Sequence, residues 1–233
     1  MESLVLEPMD RSFLLWRCLH DGPVTRGNLD LPPDESRLPF RETAIALLRD
    51  LTELYGSTAI LAWEGNRVVG LLRFVPKVVS QMEGSGGFCL LMPYPAGPRE
   101  DFPQEAFPSK ETIKDRTLVV TCMQILSDRQ RKGIGRAMVE GLKSWAKGEG
   151  WEAIEATAYQ DLPLVFEITG NAGRKWWENL GFRVVDSEDE EAMKDYGDFV
   201  QTLEAQARKQ GMDPRAVTQK FIMRWETQAD SNR

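Results

Sequence analysis

Apolar residues recur along this chain at two spacings, and the switches between them mark its elements. Phe40, Ala44, Leu47, Leu48, Leu51, Leu54 and Tyr55 occupy one face of a 3.6-residue helix, which Gly56 closes. TAILAW and VVGLLRFV then flank the polar turn Glu64-Gly65-Asn66-Arg67, predicting a hairpin of buried strands. At 117–126, TLVVTCMQIL is rich in β-branched and apolar residues and predicts a buried strand, followed at once by SDRQRKGIG. Met138, Val139, Leu142, Trp145 and Ala146 form the apolar stripe of the next helix, which ends in Gly148-Glu149-Gly150. A strand from about Glu152 to Tyr159 completes a strand–helix–strand unit, and predicts parallel strands with a right-handed crossover.

Other segments carry local signals. SLVLE predicts a short first strand, and Asp10 a cap for a helix carrying Phe13, Leu14, Trp16 and Cys18 towards Gly22-Pro23. Residues 20–39 read as loop. Asn171 is the expected cap of a short helix through Leu180, with Gly181 as its stop and FRVVD as the next strand. Ser187 and Glu190 form a capping box, with Glu188, Asp189 and Glu191 suited to the positive end of the helix it would open. That helix presents Met193, Tyr196, Phe199, Val200, Leu203 and Ala207 and stops near Gly211 and Pro214, before a last strand in AVTQKFIMRW. Between 77 and 116, Pro93, Pro95, Pro98, Pro103 and Pro108 and the glycines at 84, 86 and 87 break both periods. A connection of that length serves as a lid, a subunit contact or a mobile loop.

Composition narrows the function. The length of 233 residues suits one enlarged domain, and 42% hydrophobic with 28% charged residues is ordinary globular usage. The net charge of −7, with no basic stretch, argues against nucleic acid as partner and leaves cationic small molecules or basic peptides open, small amines first because the charge draws cations. Cys18, Cys89 and Cys122 are odd in number and far apart, which reads as reduced thiols in the cytoplasm. No signal peptide is legible, and no run approaches the roughly 18 apolar residues of a membrane span. A single histidine, His20, argues against zinc and multi-histidine iron chemistry, so no metal is expected.

The sharpest chemical signal is Gln130-Arg131-Lys132-Gly133-Ile134-Gly135, of the form [Q/R]-x-x-G-x-[G/A], between a strand and a helix. Glycines permit the tight bend, and the amides of residues 131–136 are then left at a positive helix end, a cradle for pyrophosphate. Arg131, Lys132 and Arg136 add charge there. GIGRAM lacks the third glycine or alanine of a dinucleotide fingerprint, and no P-loop is present.

QRKGIG, together with Trp176-Trp177-Glu178-Asn179-Leu180-Gly181-Phe182 downstream, resembles the GNAT superfamily of Gcn5-related N-acetyltransferases, whose acetyl-CoA loop and aromatic helix ending these segments match. The resemblance covers the opening strand-hairpin region and most of 117–186. It implies one α/β domain, with a mixed, twisted sheet of about six or seven strands, helices on both faces, and insertions near 77–116 and 187–213. The strands at 117–126 and 152–159 would splay into a cleft for the pantetheine arm.

The resemblance further implies that Gln130, Arg131, Lys132, Gly133, Ile134, Gly135 and Arg136 bind pyrophosphate. The backbone of Met123, Gln124 and Ile125 would bind pantetheine and aim one N–H at the thioester oxygen, while Asn171 would lie near the cofactor. The implied activity is transfer of an acetyl group from acetyl-CoA to an amine, of a small molecule or a peptide, by direct attack. The alternative is an inactive acyl-CoA sensor of the same fold.

An alkylamine is only about 0.1% neutral at pH 7, so the transfer needs a base, and the leaving thiolate needs an acid. The family's tyrosine position holds Trp177 here, and Val119 stands where the histone-modifying branch carries a glutamate. Tyr159, otherwise a sheet-edge tyrosine, is the candidate acid. Glu155, otherwise a paired carboxylate, is the candidate base. His20 stands in the loop where the family often builds its acceptor pocket and is otherwise a surface histidine, and a homodimer stays open.

Overall fold

The computed structural model describes residues 3–30, 38–82, 107–169, 171–189 and 197–227. The chain forms two compact units, residues 1–152 and 153–233. Eight strands lie among the described residues, seven at the segments expected from sequence, the eighth only two residues long.

In the first unit, β1 (Leu4–Pro8), β3 (Ala59–Glu64), β4 (Arg67–Pro76) and β5 (Thr117–Ile125) pair antiparallel in that order, and β2 (Val24–Thr25) pairs with the start of β4. The hairpin of β3 and β4 turns through Gly65-Asn66, with Glu64 opposite Arg67. Val68, Val69, Leu71, Leu72 and Phe74 are all buried, so both faces of β4 are covered, as its unbroken apolar run requires. Helix α1 (Leu38–Tyr55) buries Ala44, Leu47, Leu48, Leu51 and Tyr55, and Gly56 ends it at φ +89°. Tyr55 donates its hydroxyl to Pro108 O at 2.8 Å, and burial pushes its pKa up to about 12.

Helix α3 (Ile134–Gly148) buries Ile134, Met138, Val139, Leu142 and Ala146. It packs on β4 at Gly70, where a Cβ would stand 2.9 Å from Met138 Sδ and 3.0 Å from Ile134 Cγ2. Trp145 stacks on Phe74 at 4.9 Å. The short helix α2 (Lys77–Ser80) follows β4, and 107–116 form neither helix nor strand. The lid, contact or loop expected between them lies, for 83–106, outside the described residues.

Two expectations for this unit are corrected. Residues 11–18 are not a helix: Asp10 Oδ1 accepts the Ser12 amide at 2.7 Å and the Ser12 hydroxyl at 2.6 Å, capping only a turn. Phe13, Leu14, Leu15 and Trp16 are all buried. Four consecutive helical residues point around most of a circle, so an irregular course is what lets all four face the core. Residues 20–39, read as loop, also hold β2 and the first two residues of α1.

The second unit has β6 (Ala153–Ala158) and β7 (Arg183–Asp189) on either side of β8 (Gln219–Glu226), all antiparallel. Helices α4 (Pro163–Thr169), α5 (Arg174–Glu178) and α6 (Gly197–Lys209) complete it. Tyr159, Leu162, Val165, Leu203, Ala207 and Val217 form one core cluster, with Phe199 and Val200 packed against it. Trp177 meets Trp176 and Phe182 edge to face, each at 4.9 Å.

The connection after Tyr159 contains α4. Two expectations are corrected here. Asn171 does not cap the following helix: α5 starts after Gly173, and Asp161 reaches across to accept the Lys175 amide at 3.1 Å. Ser187, Glu188 and Asp189 belong to β7 rather than to a helix start. There Glu188 faces Lys220 of β8 and pairs with it at 2.6 Å, so cross-strand pairing overrides the local capping pattern. Glu190, Glu191, Met193 and Tyr196 lie outside the described residues.

Candidate functional site

In the first unit, β5 delivers the chain to the glycine-bearing bend. Its pairing with β4 shifts between Arg73 and Phe74: Arg73 faces Cys122 and Phe74 faces Val120, so Thr121 is an extra residue, a β-bulge. Beyond it, Leu126 N–H donates to Val69 O at 3.1 Å. Antiparallel pairing alternates, so Gln124 and Leu126 direct their backbone groups at β4, while Met123 and Ile125 direct theirs away. Gln130 Nε2, donating to Ile125 O at 3.4 Å, confirms the outward turn of that carbonyl. The Gln124 side chain does something else. Its Oε1 accepts Leu19 N–H at 2.8 Å and its Nε2 donates to Cys18 Sγ at 3.0 Å, tying residues 18 and 19 to the strand.

After β5, a single 3-10 turn (Ser127–Arg129) leads into the bend. Arg131 sits at φ +59° and Gly133 at φ +82°, two left-handed residues that reverse the chain into α3. A Cβ on Gly133 would meet nothing within 4 Å, so its role is conformational and the space above it is open. Ala137 N–H is the first to find the helical acceptor, Gly133 O, at 3.0 Å. The amides of Ile134, Gly135 and Arg136 precede it with no acceptor among the described residues.

The basic residues of this region fall into two groups. Arg129 Nε donates to Glu64 Oε2 at 2.6 Å and its Nη1 to Asp128 Oδ2 at 3.0 Å, while Arg67 reaches Asp128 at 3.3 Å. The hydrogen bond that Arg129 donates to Glu64, reinforced by the carboxylate's charge, holds the Arg129 pKa above its ordinary value. These pairs fasten the bend to the β3–β4 hairpin. Arg131, Lys132 and Arg136 are exposed and, among the described residues, have no ion-pair partner. Three unneutralised cations beside three free helix amides fit a diphosphate, with room above Gly133 for it.

The other sequence candidates lie in the second unit. Tyr159, 4% exposed, follows β6 and lies inside the apolar cluster, and its carbonyl accepts Arg174 N–H at 3.0 Å. Glu155 Oε1 accepts from Arg224 Nη1 at 2.7 Å, with the glutamate side chain 8% exposed. Burial works against the charge on Arg224, but Glu155 and Glu226 outweigh it and raise its pKa. Asn171 is half-buried, Trp177 is buried, and His20 of the first unit is exposed in a 3-10 turn. Sequence reading missed Arg73, a buried arginine on β4, whose signal was a charge in the middle of an apolar strand.

No family model matches the chain, and no curated protein does. Among solved structures it is similar to an acetyltransferase of the GNAT family from Streptococcus pneumoniae, at 10% identity, 96% coverage of this chain, 99% of that one and a TM-score of 0.50. The ribosomal-protein-S18-alanine N-acetyltransferase from Escherichia coli (9% identity, 99% of both chains, TM-score 0.44) is similar to it as well. So is an acetyl-CoA-bound GNAT family acetyltransferase from Elizabethkingia anophelis (12% identity, 96% and 98%, TM-score 0.44). The chain has the α/β fold of the GNAT acetyltransferases.

Proposed function

We propose that this chain is an acetyl-CoA-dependent N-acetyltransferase working in the cytoplasm as one domain, with an amine as acceptor. The observation that carries the reading is the contrast within the bend: Arg67 and Arg129 are neutralised by acids, whereas Arg131, Lys132 and Arg136, among the described residues, have no ion-pair partner and stand beside open helix amides. Such a site attracts a polyanion at the end of a cofactor. Acetyl-CoA, when bound, supplies the activated acyl group. Gln130 to Arg136 hold its diphosphate, and the outward backbone groups of Met123 and Ile125 orient its amide-bearing arm, as an added strand would be oriented. One of those N–H groups, aimed at the acyl oxygen, stabilises the negative charge that grows there, a contribution on the order of 3 kcal/mol for a single donor.

Proton handling is assigned in this reading to Tyr159 as acid and Glu155 as base. The acceptor is a small molecule or a peptide amine, and a homodimer is compatible with either. The burial of Tyr159 and the pairing of Glu155 with Arg224 favour a second reading, a sensor that binds acyl-CoA without turnover.

One experiment separates them. Coenzyme A is titrated calorimetrically, and thiol release from acetyl-CoA is followed across an amine panel for the native chain and for Tyr159→Phe and Glu155→Gln. Binding with turnover that falls in either variant supports the enzyme as described. Turnover unchanged in both variants keeps the enzyme and rejects these two residues, binding without turnover supports the sensor, and no heat with coenzyme A rejects both readings.

A further inference from the structure

Arg73 stands three residues along β4 from Gly70, so its side chain leaves the face opposite α3. That face is covered by the irregular segment before His20. Arg73 is 2% exposed; its Nη2 donates to Leu15 O at 2.7 Å and lies 3.5 Å from Arg17 O. Its Nε and Nη1 are buried and meet no acceptor, and no carboxylate pairs with it among the described residues. Arg17, also 2% exposed, brings a second guanidinium under the same segment, with Nη2 on Pro23 O at 3.3 Å.

A guanidinium taken out of water and left on neutral carbonyls is costly, and unmet buried donors in a folded protein call for an absent partner. Arg224 shows what a satisfied arginine looks like in this chain: it holds Glu155 at 2.7 Å and Glu226 at 3.2 Å. Arg73 has the donors of such a pair without the acid. Its cross-strand neighbour is Cys122, one residue before Met123, and Gln124 on the same face fastens residues 18 and 19. An anion on Arg73 would therefore sit beside the stretch of β5 assigned above to orienting the acyl group.

We propose that Arg73 binds a carboxylate of the acceptor, which makes the acceptor an amino acid or another amine bearing an acid group. The inference rests on the acetyltransferase reading. A carboxylate, planar and singly charged, pairs with the planar donors of the guanidinium. Residues 13–18 form neither helix nor strand but bury Phe13, Leu14, Leu15 and Trp16, so binding requires this segment to move and the carboxylate to replace the Leu15 carbonyl on the guanidinium.

The test titrates amino acids and their amides onto the native chain, with and without saturating coenzyme A, and follows thiol release from acetyl-CoA with the same pairs. The acids are expected to bind roughly ten- to a hundredfold more tightly than their amides, with the same preference in turnover. Arg73→Gln is expected to erase the preference while coenzyme A affinity stays unchanged. Arg73→Lys, which keeps the charge and loses the fork, is expected to retain part of it, and is read alone if Arg73→Gln does not fold. Equal binding of acids and amides to the native chain, no binding of either, or a preference that survives Arg73→Gln overturns the proposal. Acid preference in a chain that does not bind coenzyme A would leave this site standing and reject the acetyltransferase reading.

Discussion

The bend at 127–136 and the end of β6 were both expected to carry chemistry, and they are built in opposite ways. In the bend, the groups that would act are backbone amides and exposed cations, left open because neighbouring acids are already committed to Arg67 and Arg129. At β6 the candidate groups are side chains, and the fold has closed on them: Tyr159 is packed among Leu162, Val165, Leu203 and Ala207, and Glu155 is held by Arg224. Anion binding by a helix start is a local property that needs little from the rest of the chain. A proton-transfer group depends on which distant residues surround it, so residue type alone cannot mark it.

The largest effect tests the closed side. Arg224→Met leaves Glu155 buried without its cation and is expected to cost about 3 kcal/mol in urea unfolding, with coenzyme A affinity unaltered. If thiol release rises instead, freeing Glu155 has exposed a base and the contrast fails. The open side is tested next. Replacing Arg131, Lys132 and Arg136 together with alanine is expected to weaken coenzyme A binding about a hundredfold by calorimetry, or ~2.7 kcal/mol, without loss of stability. Arg129→Gln, altering a cation already paired, serves as the control, with a change of about threefold or less. Equal effects would erase the distinction between the two groups of cations.

Gly70→Val probes what holds the bend in place. The new side chain collides with Met138 and Ile134 at the start of α3, and a loss of about 2 kcal/mol is expected, accompanied by weaker coenzyme A binding. The smallest effect concerns the segment covering Arg73. The hydrogen bonds from the Ser12 hydroxyl and amide hold the Asp10 carboxyl below its ordinary 3.8. A depressed folded value stabilises above the unfolded one and is lost as pH falls through the folded one. Asp10→Ala is therefore expected to cost about 0.5 kcal/mol at pH 7, a difference that fades below about pH 4 when unfolding is followed against pH.

Legibility followed the range of the interactions. The α1 stripe from Phe40 to Tyr55, the hairpin around Gly65-Asn66 and the run from β5 through Gly133 into α3 were all readable, because each element is set by residues a few positions apart. Asp10 announced a helix that residues 13–16 could not form and still bury every side chain. Asn171 looked like a cap, yet the cap came from Asp161, on the far side of α4. Ser187 and its acids carried a helix-start pattern, but Lys220 and the β8 backbone drew them into a sheet.

By itself the sequence determined the strand–bend–helix whose start leaves backbone amides open, since periodicity and left-handed backbone are written locally. Tertiary structure alone decided which charges are spent: Arg129 on Glu64, Arg224 on Glu155, and Arg73, among the described residues, on carbonyls. Electrostatic energy depends on distance and burial, and those come from residues tens of positions apart in the chain.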